Sequence, residues 1–398
     1  MNTNRPANLR SKDLLDLAGV FLKLGTTAFG GPAAHVGLME QEFVRKRGWL
    51  SHAEFLDLLG TVNLIPGPNS TEMAILIGYR RQGWAGLLLG GICFILPAML
   101  IVGCLAWAYC RYGTLPQIAG VLYGIKPVII AIIAQALWNL HRTAMKTKLL
   151  AGVGIAAATL SACGYNALLV LLLAGAVMAV IPAVQHRPKG FLPALLPFPG
   201  SGNPRLSLLG TVGLVGTAAA TPFSLGALFL IFLKTGAVLF GSGYVLLAFL
   251  RGDLVEHRHW LTENQLLDAV AVGQFTPGPV FTTATFIGYL LGGTWGAVVA
   301  TVGIFLPAFI LVAISGPLIP RLRASPTAGA FLDGVNAAAF ALMGVVTWQL
   351  GLAALVDWRT WILAGIATGL LLRYKINSAW LVLSGAGFGW LLAMFSGN

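Results

Sequence analysis

The sequence predicts an all-α, polytopic integral membrane protein made of two homologous repeats of inverted topology, with broken or re-entrant helices. Three observations carry that expectation. Only 10% of the 398 residues are charged and 57% are hydrophobic, where a soluble domain carries ~25% charge. Basic residues outnumber acidic ones, 25 to 13, for a net charge of +12, and in so apolar a chain such a surplus belongs in loops held on the cytoplasmic side. One set of motifs also occurs twice at a constant spacing. Together these exclude a soluble enzyme, a disordered chain and a nucleic-acid binder.

The repeat decides the architecture. Phe21-Leu22-Lys23 returns as Phe232-Leu233-Lys234, Phe29-Gly30 as Phe240-Gly241, Trp49 as Trp260, Asp57 as Asp268, and Pro66-Gly67-Pro68 as Pro277-Gly278-Pro279, all at an offset of 211. After one deletion the offset is 210. Gly78-Tyr79 then matches Gly288-Tyr289, Leu96-Pro97-Ala98 matches Leu306-Pro307-Ala308, and Trp138 matches Trp348. This divides the chain into a first repeat, 1–182, a linker, 183–222, and a second repeat, 223–398. The apolar stretch 206–221 within the linker is an additional span without a counterpart.

Each repeat begins with an apolar segment (14–36 and 224–250) interrupted by a glycine cluster. An amphipathic stretch leads to Trp49 or Trp260. Ser51-x-x-Glu54 and Thr262-x-x-Gln265 then read as capping boxes. The helix each one opens runs about 12–14 residues before Pro-Gly-Pro, too short for ~30 Å of hydrocarbon, which needs ~20 residues. A second short helix follows, to Tyr79 or Tyr289. Half-helices joined in this way read as a re-entrant hairpin, tolerated at membrane depth only where buried in protein or lining a cavity. Segments 84–109, 116–140, 148–162 and 165–182 complete the first repeat. Segments 294–316, 328–350, 360–372 and 377–395 complete the second. Arg45-Lys46-Arg47, Arg80-Arg81, the loop from His141 to Lys148 and the linker residues Arg187, Lys189 and Arg205 read as cytoplasmic. The place of Arg80-Arg81 is uncharged in the second repeat, whose basic loops, Arg321/Arg323 and Arg373/Lys375, are those with few charges in the first. Inverted topology accounts for that exchange.

Cys93, Cys104, Cys110 and Cys163 read as buried small hydrophobes. No metal cluster, cofactor motif or phosphate-binding GxxxxGK[ST] loop is visible. Asp13 and Asp16 interrupt the first segment and no small-residue cleavage site follows, so a cleaved signal peptide is not expected.

Broken helices in inverted repeats point to a transport site at the repeat interface. Asn69-Ser70-Thr71 follows the first Pro-Gly-Pro, and Thr282-Thr283 lies just beyond the second. Hydroxyls and free N–H groups at two facing helix N-termini suit a tetrahedral oxyanion; the plainer alternative is that Ser70 and Thr282 cap their helices. Lys23, Lys234 and Lys126 lie inside apolar segments, where a lysine costs ~2.5–3.5 kcal/mol and faces a cavity or a partner. Asp57 and Asp268 are candidate partners for Lys23 and Lys234. The candidate substrate-binding set is completed by the amides Asn63 and Gln274 and by Gly30, Gly31 and Gly241 of the glycine clusters, with Pro66, Gly67, Pro68, Pro277, Gly278 and Pro279 as hinges. Glu72 fits a capping box with Asn69. Placed where an anion would bind, it is also a candidate for carrying a coupled proton. His35 has no counterpart and reads as a packed or interfacial side chain.

Phe29-Gly30-Gly31-Pro32, Trp49-Leu50 and Pro66-Gly67-Pro68, repeated as Phe240-Gly241-Ser242-Gly243, Trp260-Leu261 and Pro277-Gly278-Pro279, resemble the chromate ion transporter family in its long, two-domain form. The second half departs from Gly-Gly-Pro, so the half-sites are not equivalent. The resemblance implies a multi-pass protein of the bacterial inner membrane that exports chromate, drawing on the proton-motive force or membrane potential, and confers chromate resistance. It is not an enzyme on this reading, and no cofactor is implied. Sulfate, of the same shape and charge, is the competing substrate, and a membrane-embedded enzyme or a channel are the competing classes. The lipid bilayer is the expected surrounding, and a homodimer remains open.

Overall fold

The computed structural model describes residues 7–29, 31–113, 115–185, 222–239, 245–374 and 378–395. Gly30, Gly241 and most of the linker, including the extra span at 206–221, lie outside them. The described residues are helical throughout. In the first half they form α1 (Ala7–Thr27), α2 (Gly31–Glu40, continued by a π-helical segment, Gln41–Lys46), α3 (His52–Val62), α4 (Asn69–Tyr112), α5 (Pro116–Ala144), α6 (Lys148–Ala162) and α7 (Ala167–Gln185). The second half repeats the order with α8 (Leu225–Val238), α9 (Leu246–Leu250, continued by a π-helical segment, Arg251–His257), α10 (Glu263–Phe275), α11 (Thr283–Ala324), α12 (Pro326–Ala354), α13 (Trp358–Tyr374) and α14 (Ser378–Phe395).

Local chemistry sets the boundaries. Both capping boxes form, Ser51 with Glu54 and Thr262 with Gln265. Pro116 and Pro326 open α5 and α12 at the first helical position, where a missing N–H costs nothing. Asp357 caps the start of α13, accepting the Thr360 N–H at 2.9 Å, and also accepts the Tyr123 hydroxyl at 2.5 Å. α4 and α11 need a separate account. At 1.5 Å per residue, the 44 residues of α4 would reach about 66 Å, twice a bilayer's hydrocarbon. Instead the chain turns at Gln82-Gly83, and at Gly292-Gly293 in α11, where the glycines adopt φ +60° with ψ −141° and −150°. That conformation is open essentially only to glycine. The two limbs fold back antiparallel, so closely that a Cβ on Gly78 would strike the Gly86 carbonyl, and one on Gly288 the Gly296 carbonyl.

The halves interlock. α1 packs on α4 and α8 on α11, and α4 and α11 meet each other. Beyond this, α7 and α6 pack on α12 of the other half, while α14 and α13 pack on α5. GxxxG pairs make the tightest of these contacts: Gly120 and Gly124 of α5 lie against the backbone of Gly389 and Gly385 of α14, the close approach that packs helices where apolar burial supplies no drive. The largest core cluster accordingly draws on both halves, from Ile95 to Val382.

The outer surface is apolar. Leu88, Ile92, Leu96 and Leu100 form an exposed stripe along α4, and Val302, Ile310 and Ile314 one along α11. Trp138 and Trp348 stand exposed at matching repeat positions, and Trp84 and Trp295 stand exposed one residue out of register. Such a surface suits lipid, with tryptophans at its borders. This corrects the reading of the cysteines: Cys93 is buried, but Cys104, Cys110 and Cys163 are exposed. In a membrane an exposed face accepts the same small apolar side chains as a core.

The turn at Gly83 yields a test free of packing effects, because a Cβ there meets nothing within 4 Å. Gly83→Ala should destabilise the protein by about 1–3 kcal/mol through backbone strain alone, read as a lower thermal midpoint in detergent. An unchanged midpoint would contradict the turn.

Candidate functional site

The two Pro-Gly-Pro turns are exchanged between the halves. Gly67 N–H donates to the Leu239 carbonyl at 2.7 Å, and Gly278 N–H donates to the Ala28 carbonyl at 2.8 Å. Each turn therefore closes on the end of the other half's first helix. Gly67 has φ +138° and Gly278 φ +89°. A Cβ on Gly67 would meet Glu72 and Ala308, and one on Gly278 would meet Ala98 and the Gly25 carbonyl. The alanines of the two Leu-Pro-Ala motifs are thus small because a turn of the opposite half rests on them. The repeat spacing had marked those motifs without giving that reason.

Around the first turn, Asn69 donates from Nδ2 to Asn63 Oδ1 at 2.8 Å. Ser70, Thr71 and Glu72 are buried. The expected capping box between Asn69 and Glu72 does not form. Pro68 is the N-cap, with no side-chain cap, and both Glu72 oxygens, like Thr71 Oγ1, are buried without a hydrogen-bond partner. The carboxyl folds back on Gly67 because the helix starts one residue earlier than a cap at Asn69 requires.

At the second turn Thr282 and Thr283 are buried, but their hydroxyls donate to Pro279 and Val280 carbonyls, both at 2.8 Å. Neither caps a helix: residues 280–282 form a 3-10 turn, which leaves those carbonyls near enough for the following hydroxyls. Gln274 is buried beside the turn. His35 lies at the same junction, fully buried, with Nε2 3.1 Å from the Ala28 carbonyl that also receives the Gly278 N–H. Gly31 opens α2 with φ +79°.

The lysines fall elsewhere than the sequence suggested. Lys234 pairs with Asp253, not Asp268, at 2.5 Å. Both line a cleft with Tyr165, Asn166, Arg251 and His257. Lys23 is exposed and sits in the field of Glu42, which is the repeat counterpart of Asp253. Arg47 donates to Glu42 at 2.9 Å and holds its carboxyl below the usual carboxylate range. Asp268 pairs instead with Lys126 of α5 at 3.2 Å and accepts the Tyr109 hydroxyl at 2.9 Å. Lys126 also donates to Asn264 Oδ1 at 3.1 Å. One helical turn separates Asn264 from Asp268, so both face α5, whereas Lys234 on α8 lies beside the π-helical segment. Sequence reasoning missed Asp253 and Tyr109. Asp253 was recoverable from its offset to Glu42; Tyr109 had no signal.

Near the hairpin entrances the charges are reversed between repeats. Glu40 faces Arg45 and His52, each at 3.4 Å, where Arg251 faces Glu256 and Glu263. Trp49 is held between Arg47 and Arg81, and Trp260 carries Arg258. Among the described residues no cluster of metal-ligating side chains is present.

The Chromate transporter family matches residues 15–180 and 226–390, almost the whole of both halves. The chain belongs to this family. A Chromate transport protein of Cupriavidus metallidurans is 34% identical over 385 residues, covering 96% of this chain and 93% of that one. A Chromate transport protein of Pseudomonas aeruginosa is 32% identical, covering 94% and 91%. An uncharacterized transporter of Methanocaldococcus jannaschii is 25% identical, covering 94% and 92%. No solved structure matches. The two family matches divide at the linker, so a family unit ends where a new first helix begins. This member of the chromate transporter family is a multi-pass membrane transporter.

A buried carboxyl with no partner is costly when ionised. Glu72→Gln, of the same shape and without the charge, should therefore keep or raise the thermal midpoint in detergent. A fall of more than about 1 kcal/mol in stability would mean that Glu72 has a charged partner in the folded state.

Proposed function

We propose that this protein exports chromate across the bacterial inner membrane as a secondary transporter and so confers chromate resistance. One observation supports the site: each Pro-Gly-Pro turn closes on the opposite half, so both helix starts lie at the interface between the halves. Helix N-termini favour anions through unpaired N–H groups and the macrodipole. The substrate is held there by the backbone of the two turns, by Ser70 and Thr71, and by Asn63 and Asn69, with Gln274, Thr282 and Thr283 opposite. The hydroxyls of Thr282 and Thr283, which donate to the Pro279 and Val280 carbonyls, turn on binding to donate to the anion instead. Gly31 completes the junction on this reading, while Gly30 and Gly241 lie outside the described residues. Lys23 and Lys234, each beside an acid, draw the anion to the two mouths. Pro66, Gly67, Pro68, Pro277, Gly278 and Pro279 act as the hinges.

Loop charge sets the orientation. Arg45-Lys46-Arg47 and Arg80-Arg81 place the entrances of α3 and α4 in the cytoplasm and, by inversion, that of α10 outside. Moving one charge through 100 mV is worth ~2.3 kcal/mol, so expelling a dianion from a cell at roughly −150 mV gains about 7 kcal/mol. Import would have to be coupled to that much free energy. Glu72 adds proton coupling: it is neutral when the anion is bound and releases its proton when the site empties. Sulfate shares the charge and shape of chromate and is the second substrate to be compared.

In inverted membrane vesicles carrying this protein, chromate should accumulate, and collapse of the proton-motive force should abolish the accumulation. Equal, potential-independent leak of chromate and chloride would sink the proposal. Glu72→Gln should flatten the pH dependence of that uptake; an unaltered pH profile would remove Glu72 from the coupling.

A further inference from the structure

The two hairpins are not held alike. In α10 every residue from Leu266 to Ala271 is buried, and the helix packs against α4, α5, α11, α12 and α14. In α3 burial is confined to Phe55, Leu58, Thr61 and Val62, and its chief packing is on α4. A cleft lined by Trp49, Glu54, Asp57 and Arg80 runs beside it. Its walls are polar, so the first hairpin is the more open to its own side and the second the more enclosed.

The enclosure contains one buried ion pair. Asp268 is 3% exposed and lies 3.2 Å from Lys126 Nζ, with Tyr109 closing the other carboxylate oxygen at 2.9 Å. Lys126 and Tyr109 belong to the first half and Asp268 to the second, so the pair bolts α10 to α4 and α5 across the junction. At the corresponding positions the first hairpin has Asp57 but Asn336 in place of the lysine, so this lysine–aspartate pair is not repeated there. The cluster lies between the Pro-Gly-Pro turn and the first turn of α10, where Asn264 is exposed. An anion leaving the junction along this face of α10 would pass it.

We propose that Lys126 and Asp268 form the external gate, and that the transported dianion opens it by replacing Asp268 as the partner of Lys126. The inference rests on the export reading above for the identity of the anion. Lys126 is partly buried, its side chain 16% exposed, and without Asp268 it keeps only the neutral amide of Asn264. Losing the carboxylate leaves its charge uncompensated, so the exchange is favoured when another anion takes that place. Asp268 is a positioning residue in this scheme, and Lys126 is the group that meets the substrate. The gate therefore stays shut in the absence of a dianion, which prevents smaller ions from leaking through the opened half.

The test uses the full chain with its four cysteines replaced by alanine and the single substitution Ala271→Cys, buried one turn past Asp268. Right-side-out vesicles are treated with a membrane-impermeant thiol reagent from outside. Labelling should be slow in this parent and about tenfold faster or more with Asp268→Asn, because removing one partner strands the other charge. Asp268→Glu should label slowly, and the swapped pair Lys126→Asp with Asp268→Lys should restore slow labelling. Added chromate should speed labelling of the parent and have no effect with Lys126→Gln. Equal labelling of parent and Asp268→Asn would overturn the gate. An identical chromate response in parent and Lys126→Gln would overturn the role of the lysine. The Asp268→Asn arm contains no chromate, so it reports on the gate even if the substrate assignment fails; where that variant does not fold, Lys126→Gln without chromate gives the same reading.

Discussion

The fold depends on how the backbone at two helix breaks is satisfied away from water. A Pro-Gly-Pro turn at membrane depth presents an N–H that no helix can pair, and an unpaired group there costs several kcal/mol. The answer lies in the other half: Gly67 donates to Leu239, and Gly278 donates to Ala28. Neither hairpin is complete by itself. Much else follows from these two hydrogen bonds, including Ala98 and Ala308 as the small residues under the turns and the burial of everything between them.

The same junction explains the distribution of charge. The lysine of the second repeat's first helix and the lysine of α5 are both neutralised, Lys234 by Asp253 and Lys126 by Asp268. The second of these pairs crosses between the halves. Glu72 is different, having both oxygens buried and unpartnered. On the proposed function, a site that binds and releases a dianion needs groups whose charge can be exchanged, and paired lysines beside a carboxyl buried without a partner suit that. Fixed, unopposed positive charge would hold the anion too tightly to let it go.

The two halves share a plan without sharing chemistry. Where the first repeat sets Glu40 against Arg45 and His52, the second sets Arg251 against Glu256 and Glu263. Backbone features instead are strictly kept, with Gly83 and Gly293 at the same φ and capping boxes at both hairpin entrances. Geometry is copied because each half must fit the other, while the side-chain charges at the hairpin entrances are free to differ because no hydrogen bond between the halves depends on them.

What the sequence by itself determined was the local and periodic part: helical class, the capping boxes, the short helices stopped by Pro-Gly-Pro, and a duplication visible as a fixed offset. Caps, breaks and apolar runs are encoded by neighbouring residues, so they can be read along the chain. Pairings cannot be read that way. Nothing local joins Lys126 to Asp268, moves Thr282 from cap to 3-10 turn, or sends α6 and α7 onto α12. The tertiary structure decided these, because a buried charge takes the partner that the packing of two interlocked halves brings within reach, whatever its distance in sequence.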